Sequence, residues 1–429
     1  MSPAFSSLRI RNYRLFASGQ LISLTGTWMQ RTAQDWLVLD LAHDKGTALG
    51  ITTALQFLPM LLFGLYGGVL ADRYPKRRLL IIAQVAMGLQ ALLLGVLTIS
   101  GGVELWHVYA LAFALGLASV IDTPTRQAFV VELVGKDELP NAVGLNSATF
   151  NSGRVLGPAT AGLLINAFGT GPVFVVNALT YLAVLVSLMR IRSADLHLST
   201  PVARAPGQLR AGLAYVRRRP ELLWPIVLVA VIGTFGLNFQ ITTALVAKLV
   251  FHRGAGSYGL LGAALAFGSL IGALLAARRG IPRQRMLLGA ALVFGLLEIA
   301  VGLMPTYLSF LLLLIPTGVA VLTFTTATNA SLQLASSAAM RGRVMALYIL
   351  VFFGGTPVGA PVIGWLAETY GARWSLIGGG LVSSVATLLV GWALLRARRL
   401  RVVTQLHGRP HVYVEPVPEA PALDEARSA

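Results

Sequence analysis

A few charged and polar residues interrupt otherwise apolar runs, and any chemistry of this chain must rest on them. In the first run Gln30, Arg31, Gln34 and Asp35 stand close together. Arg31 and Asp35 are one helical turn apart and can pair along a helix. One reading makes Asp35 a site of proton uptake and release with Arg31 as its charge partner. The other makes them a structural pair near a membrane interface. Glu298 lies in a later run without a local partner. Burial disfavours the charged form of a lone carboxylate, which suits proton exchange. Arg154 could pair with an acid on another helix, bind an anionic group, or serve packing. Gln56, Asn146, Asn151, Asn238, Gln240 and Asn329 could line a path or bond between helices, as could Gln30 and Gln34.

Other chemistries lack their residues. No nucleophile–base pair stands out, and the histidines at 43, 107, 197, 252, 407 and 411 are isolated in predicted loops or the tail. There is no cysteine, hence no disulfide and no thiolate metal site. No G-x-x-x-x-G-K-[ST] loop occurs, so ATP is not the energy source. Neither an enzyme nor a cofactor or metal is expected.

The elements that position these residues follow from composition. Of 429 residues, 55% are hydrophobic and only 12% charged, too few charges to cover a soluble surface of this length. The net charge of +17 does not indicate nucleic acid, because the cations fall in short clusters between apolar runs. About 20 apolar residues cross a bilayer. On that measure twelve spans are predicted, at 15–41, 49–71, 79–100, 105–126, 141–168, 172–189, 223–250, 257–277, 286–304, 307–328, 344–367 and 374–395. Arg9, Arg11 and Arg14 precede a run too long for a signal peptide, so it is expected to stay as the first span. Cations cluster on one side, from those arginines through 73–78, 190–219, 278–285 and 341–343 to 396–401. The other side holds little beyond Lys45, Arg253 and Arg373. Both termini are therefore expected in the cytoplasm, and the protein in the inner cell membrane. At about 1.5 Å per residue, Asp35 lies roughly 30 Å along the helix from Leu15, in the outer half.

The expected organisation is a cytoplasmic N-terminus at 1–14, a six-helix bundle at 15–189, a cytoplasmic loop at 190–222, a second bundle at 223–395 and a partly disordered cytoplasmic tail at 396–429. Leu209, Leu213 and Val216 share a helical face, which predicts a short amphipathic helix on the membrane surface. The halves resemble each other. Gly153-x-x-x-Gly157-Pro158 recurs 202 residues later as Gly355-x-x-x-Gly359-Ala360-Pro361, and Gly68 matches Gly272 at 204, which argues for duplication.

The stretch Gly67–Arg78 reads G-G-V-L-A-D-R-Y-P-K-R-R. Gly68, Asp72, Arg73, Lys76, Arg77 and Arg78 resemble the G-x-x-x-D-R-x-G-R-R loop between helices 2 and 3 of the major facilitator superfamily, with Pro75 in place of the second glycine. The resemblance implies an all-helical fold of twelve transmembrane helices in two pseudo-symmetric bundles around a central site. Gly153, Arg154, Gly157, Pro158 and Gly162 resemble the antiporter motif of the drug:proton antiporter branch, thought to shape the pivot between the halves. Residues 12–30, 122–134, 138–151 and 341–344 are similar to the enterobactin exporter and transmembrane secretion subfamily. One departure is Ala112, which stands where many antiporters carry an arginine four residues before a span 4 glycine, here Gly116. At the cytoplasmic mouth, Asp72 is expected to pair with Arg126, beside Asp122, and to face the start of span 11 near Arg343 as a latch.

The resemblance implies a monomeric secondary transporter exporting a small amphipathic drug-like or siderophore-like molecule in exchange for protons, with small molecule, proton and lipid bilayer as its partners. A lysophospholipid flippase of the same fold is an alternative. A non-transporting receptor would need an output domain, for which the central loop and tail are too small.

Overall fold

A computed structural model describes residues 3–197, 208–278, 284–397, 400–405 and 411–416. A 3₁₀ turn leads into α1 (Arg11–Leu41), α2 (Gly46–Arg73), α3 (Lys76–Ile99), α4 (Leu105–Val134), α5 (Leu139–Phe168) and α6 (Thr170–Arg190). A short helix, α7 (Gln208–Arg217), precedes α8 (Pro220–Phe235) and α9 (Phe239–Leu245), which runs on into a π turn at Val246–Val250. Then come α10 (Ala255–Arg278), α11 (Gln284–Leu303), α12 (Tyr307–Ala335), α13 (Ala338–Tyr370) and α14 (Ala372–Ala397). The segments α1 to α6 form one half; α8 and α9 together, with α10 to α14, form the other.

Among the described residues, ten segments are long and apolar enough to cross a membrane. The other two are α1 and α5, which are equally long but interrupted by polar side chains. Span 7 is not one rod. It breaks at Gly236–Asn238, where Asn238 turns back to donate to the Thr234 carbonyl at 2.7 Å. Span 4 runs to Val134, two turns beyond the expected end at 126, so Asp122 and Arg126 lie within a helix rather than at its mouth.

The turn between α2 and α3 survives its proline. Tyr74 takes the extended conformation (φ −112°, ψ 155°) that a residue before proline prefers, and Pro75 caps α3. Gly169 and Gly371, each at positive φ, make the links from α5 to α6 and from α13 to α14, where an L side chain would be strained.

Packing shows what the repeated glycines do. Gly153 and Gly157 bring α5 onto α1, and Gly355 and Gly359 bring α13 onto α8. Gly162 lies against Gly256 of α10, and Gly364 against Gly46 of α2. In each half the first two glycines thus pack their own bundle and the third meets the other. Gly67 against the Val120 carbonyl and Gly268 against that of Ile315 are a further matched pair of close helix contacts. A Cβ at Gly359 would drive into the Thr234 carbonyl oxygen. Gly359→Val is therefore expected to lose about 1–3 kcal/mol or more through overpacking. Gly289→Ala, with open space around it, should leave the detergent melting temperature unchanged. An equal melt for both variants would contradict this packing.

The amphipathic helix forms as α7, with Val216 buried, but it docks on the start of α13: Gly212 lies against Arg343, and the Ser337 amide donates to the Tyr215 hydroxyl at 3.2 Å. In the tail, β1 (Leu400–Gln405) and β2 (His411–Pro416) pair antiparallel with Val402 opposite Val414. The tail from 417 lies outside the described residues.

Candidate functional site

A cavity of about 540 Å³ lies between the halves. Polar residues of α1 line it at every turn from Gln20 through Ser23, Thr27 and Arg31 to Asp35, which is why α1 is too polar to read as a lipid-facing span.

Asp35 forms the roof. Its Oδ2 accepts from the Tyr258 hydroxyl at 2.6 Å and from Gln240 Nε2 at 2.7 Å. Both donors belong to the other half, so one carboxylate oxygen joins α1 to α9 and α10. Tyr258 is fixed by stacking on Trp36, with ring centroids 6.3 Å apart. More contacts close the same end. Lys248 Nζ lies 2.5 Å from Asp40 and 2.7 Å from Asp44; the Thr47 amide donates to Glu368 and the Gly256 amide to Asn166. This closed end lies opposite the end that carries the clusters around 73–78 and 341–343.

Arg31 does not pair with Asp35. Its guanidinium lies over Trp28 at 4.8 Å from the ring centroid and over Phe57 at 5.5 Å. Arg154 reaches the same Trp28 at 5.5 Å. The glycine of the α5 motif permits this, since Gly157 packs directly on Trp28. Pro158 lines the cavity and lays its carbonyl against Gly259 of α10. Deeper in, Asp122 bonds Arg126 at 3.1 Å and accepts from Gln84 at 2.8 Å, while Arg126 also donates to Gln20 at 3.2 Å.

The expected latch is therefore rearranged. Arg126 is held inside the cavity by Asp122 rather than by Asp72, because α4 is longer than expected, and α7 covers the start of α13 beside Arg343. Gly68 and Asp72 are half-buried at the end of α2, and Arg73 and Arg78 are exposed. Lys76 is buried against Glu132 of α4 at 2.7 Å. Arg77 donates to Ser193 at 2.9 Å and to the Met189 carbonyl at 3.0 Å. Two of the motif's cations thus tie α3 to its neighbours within one half.

The polar candidates separate in the same way. Gln56, Asn238 and Gln240 line the cavity. Gln30 does not: it donates to Gln90 and accepts from Asn177, binding α1 to α3 and α6. Gln34 is buried away from the cavity. Asn151 bonds the Ser147 carbonyl, Asn329 accepts from Gln333, and neither they nor Asn146 reach the cavity wall. Glu298 of α11 is buried against Gly236 and Gly379, also outside it. Tyr258, Trp28, Phe57 and Phe353 shape the site but look like ordinary apolar-run residues in the sequence; Phe57 and Phe353 stack across the halves at 6.5 Å.

The fold and sequence have relatives. A bacterial homologue of the lysosomal transporter Spinster superposes with a TM-score of 0.72 at 14% identity, over 92% of this chain and 98% of that one. A bacterial homologue of ferroportin, in an inward-facing state, gives 0.67 at 18% identity, over 90% and 98%. The staphyloferrin A transporter of Staphylococcus aureus is 32% identical over 177 residues, which cover 41% of this chain and only 44% of that protein. Macrolide efflux protein A of Streptococcus pyogenes is 22% identical over 89% of this chain and 96% of its own. The enterobactin exporter of Shigella boydii is 26% identical over 85% and 84%. These relatives are transporters of small molecules, not enzymes. The family described as transmembrane secretion effector matches residues 2–427, and the chain belongs to that family of multi-pass major facilitator transporters.

Proposed function

We propose that the protein exports a small amphipathic organic molecule from the cell in exchange for protons, by alternating access. The observation that carries this reading is the placement of Asp35: a carboxylate at the closed roof of the central cavity whose side-chain donors among the described residues, Tyr258 and Gln240, belong to the opposite half. A group there meets one side of the membrane in one state and the other side in the next. Ionised, it accepts two charge-assisted bonds and holds the roof shut; protonated, it gives up part of that hold. By the positive-inside rule the end bearing the 73–78 cluster faces the cytoplasm, so the cavity is closed toward the outside. The bodies at 15–189 and 223–395 rock about the glycine contacts of α5 and α13 as a monomer in the inner cell membrane. The relatives' printed roles, in siderophore transport or export and macrolide efflux, support the direction and cargo size.

Accumulation of rhodamine 6G, erythromycin and carboxyfluorescein in cells carrying the protein, with and without an uncoupler, tests it. Lowered accumulation of at least one, restored by the uncoupler, is expected. Unchanged accumulation of all three, with the protein verified in the membrane, would argue against broad efflux.

A further inference from the structure

We propose that the cavity selects an anionic amphipathic molecule, whose acidic group is held by Arg31 and Arg154, the two guanidiniums that lie over Trp28. The proposal rests on the transporter reading and names the substrate class for the same site.

Five side chains that are normally charged line the cavity: Arg31, Asp35, Asp122, Arg126 and Arg154. Both acids are occupied. Asp35 takes its two donors from Tyr258 and Gln240, and Asp122 is held by Arg126 and Gln84. Two guanidiniums remain, and neither makes an ion pair among the described residues. Arg31 Nε is buried without a hydrogen-bond partner. Both lie against one indole ring, Arg31 at 4.8 Å and Arg154 at 5.5 Å from its centroid. A cation–π contact offsets part of the cost of keeping a guanidinium from water, but it leaves the N–H fork unsatisfied. Two like charges on one ring also repel each other. An anion accepting from both forks relieves the repulsion and satisfies the donors, and the planar fork suits carboxylate geometry.

The rest of the wall sets the other end of the ligand. Phe57, Met60, Phe352 and Phe353 give an apolar surface close to Arg31. A compact aromatic or aliphatic body with one acidic head fits both parts, and the volume is that of a small-molecule site. A cationic drug finds no uncommitted carboxylate here.

The test uses the full chain in proteoliposomes and two xanthene dyes of similar shape and opposite charge, fluorescein and rhodamine 123, a methyl ester with no free carboxylate, with salicylate and citrate as simple competing acids. Binding is read from tryptophan quenching and transport from dye flux. Fluorescein should bind roughly tenfold more tightly than rhodamine 123, and an acid should displace it. Arg31→Gln and Arg154→Gln should each weaken fluorescein binding by roughly tenfold or more, the loss of a charge-assisted bond, without weakening rhodamine 123. Arg154→Lys should recover part of that loss, which separates charge from packing, and size-exclusion profiles verify that each variant is folded. Equal binding of both dyes, or binding indifferent to both arginines, overturns the proposal. So does failure of every acid to bind. Transport of rhodamine 123 alone sinks the anion site and leaves the transporter reading standing. Acid binding without any transport does the reverse.

Discussion

Asp35→Asn is expected to abolish pH-gradient-driven export while leaving a folded, cargo-binding protein. Asparagine has nearly the shape of aspartate, and its carbonyl oxygen can still accept from Tyr258 or Gln240, so the roof keeps its geometry. Two things are lost. The residue can no longer carry a proton between the two sides. Its bonds to the other half also become neutral ones, each weaker by about 1–1.5 kcal/mol, since bonds to charged groups contribute about 1.5–3 kcal/mol and neutral ones about 0.5–1.5. In proteoliposomes with an imposed pH gradient, the wild type should move cargo against its concentration and the variant should not. Counterflow of cargo without a gradient should persist, because alternating access does not itself require the proton. Asp35→Glu should recover partial coupling. Should the asparagine variant still concentrate cargo under a pH gradient, coupling lies elsewhere, and Glu298, buried outside the cavity, becomes the next residue to replace.

The sequence disclosed the fold more completely than the site, for identifiable reasons. Membrane spans are read from hydropathy because lipid imposes one solvent on every face of a helix. A cavity removes that constraint, so α1 and α5 became polar in just the places that matter. The expected end of span 4 failed for the same reason: Asp122 and Arg126 mark the polar lining of the cavity, not the membrane surface. The partners of Asp35 stand 205 and 223 residues away, and no local pattern announces them. Arg31, one turn distant, was the visible partner, yet an arginine next to Trp28 has an aromatic face to choose instead. Two signals were present and unread. Gly364 stands 202 residues after Gly162, completing the repeat of the α5 motif, and the β-branched alternation around Val402, Val412 and Val414 favours strands.

Filling the third glycine of either repeat should open the closed end. Gly162 meets Gly256, and Gly364 meets Gly46, so the two contacts join the halves symmetrically without a side chain at either crossing. A Cβ at Gly364 would enter the Gly46 carbonyl oxygen, a backbone atom that can yield only if α2 and α13 separate. Overpacking of this kind costs about 1–3 kcal/mol. Within a single bundle that energy appears as lost stability, as at Gly359. Between two bodies that already separate in the transport cycle, it is avoided by moving to the state in which they are apart. Since two such states differ by only a few kcal/mol, Gly364→Leu should shift the balance by roughly 5- to 150-fold. The cysteine-free chain lends itself to spin labels at Lys45→Cys and Arg253→Cys, two exposed positions in the loops of the closed end, one in each half. Pulsed dipolar distances should lengthen in Gly364→Leu and in Gly162→Leu, and the melting temperature should change less than in Gly359→Val. An unchanged distance distribution in both variants would show that these glycines serve packing alone and that the halves do not part at this end.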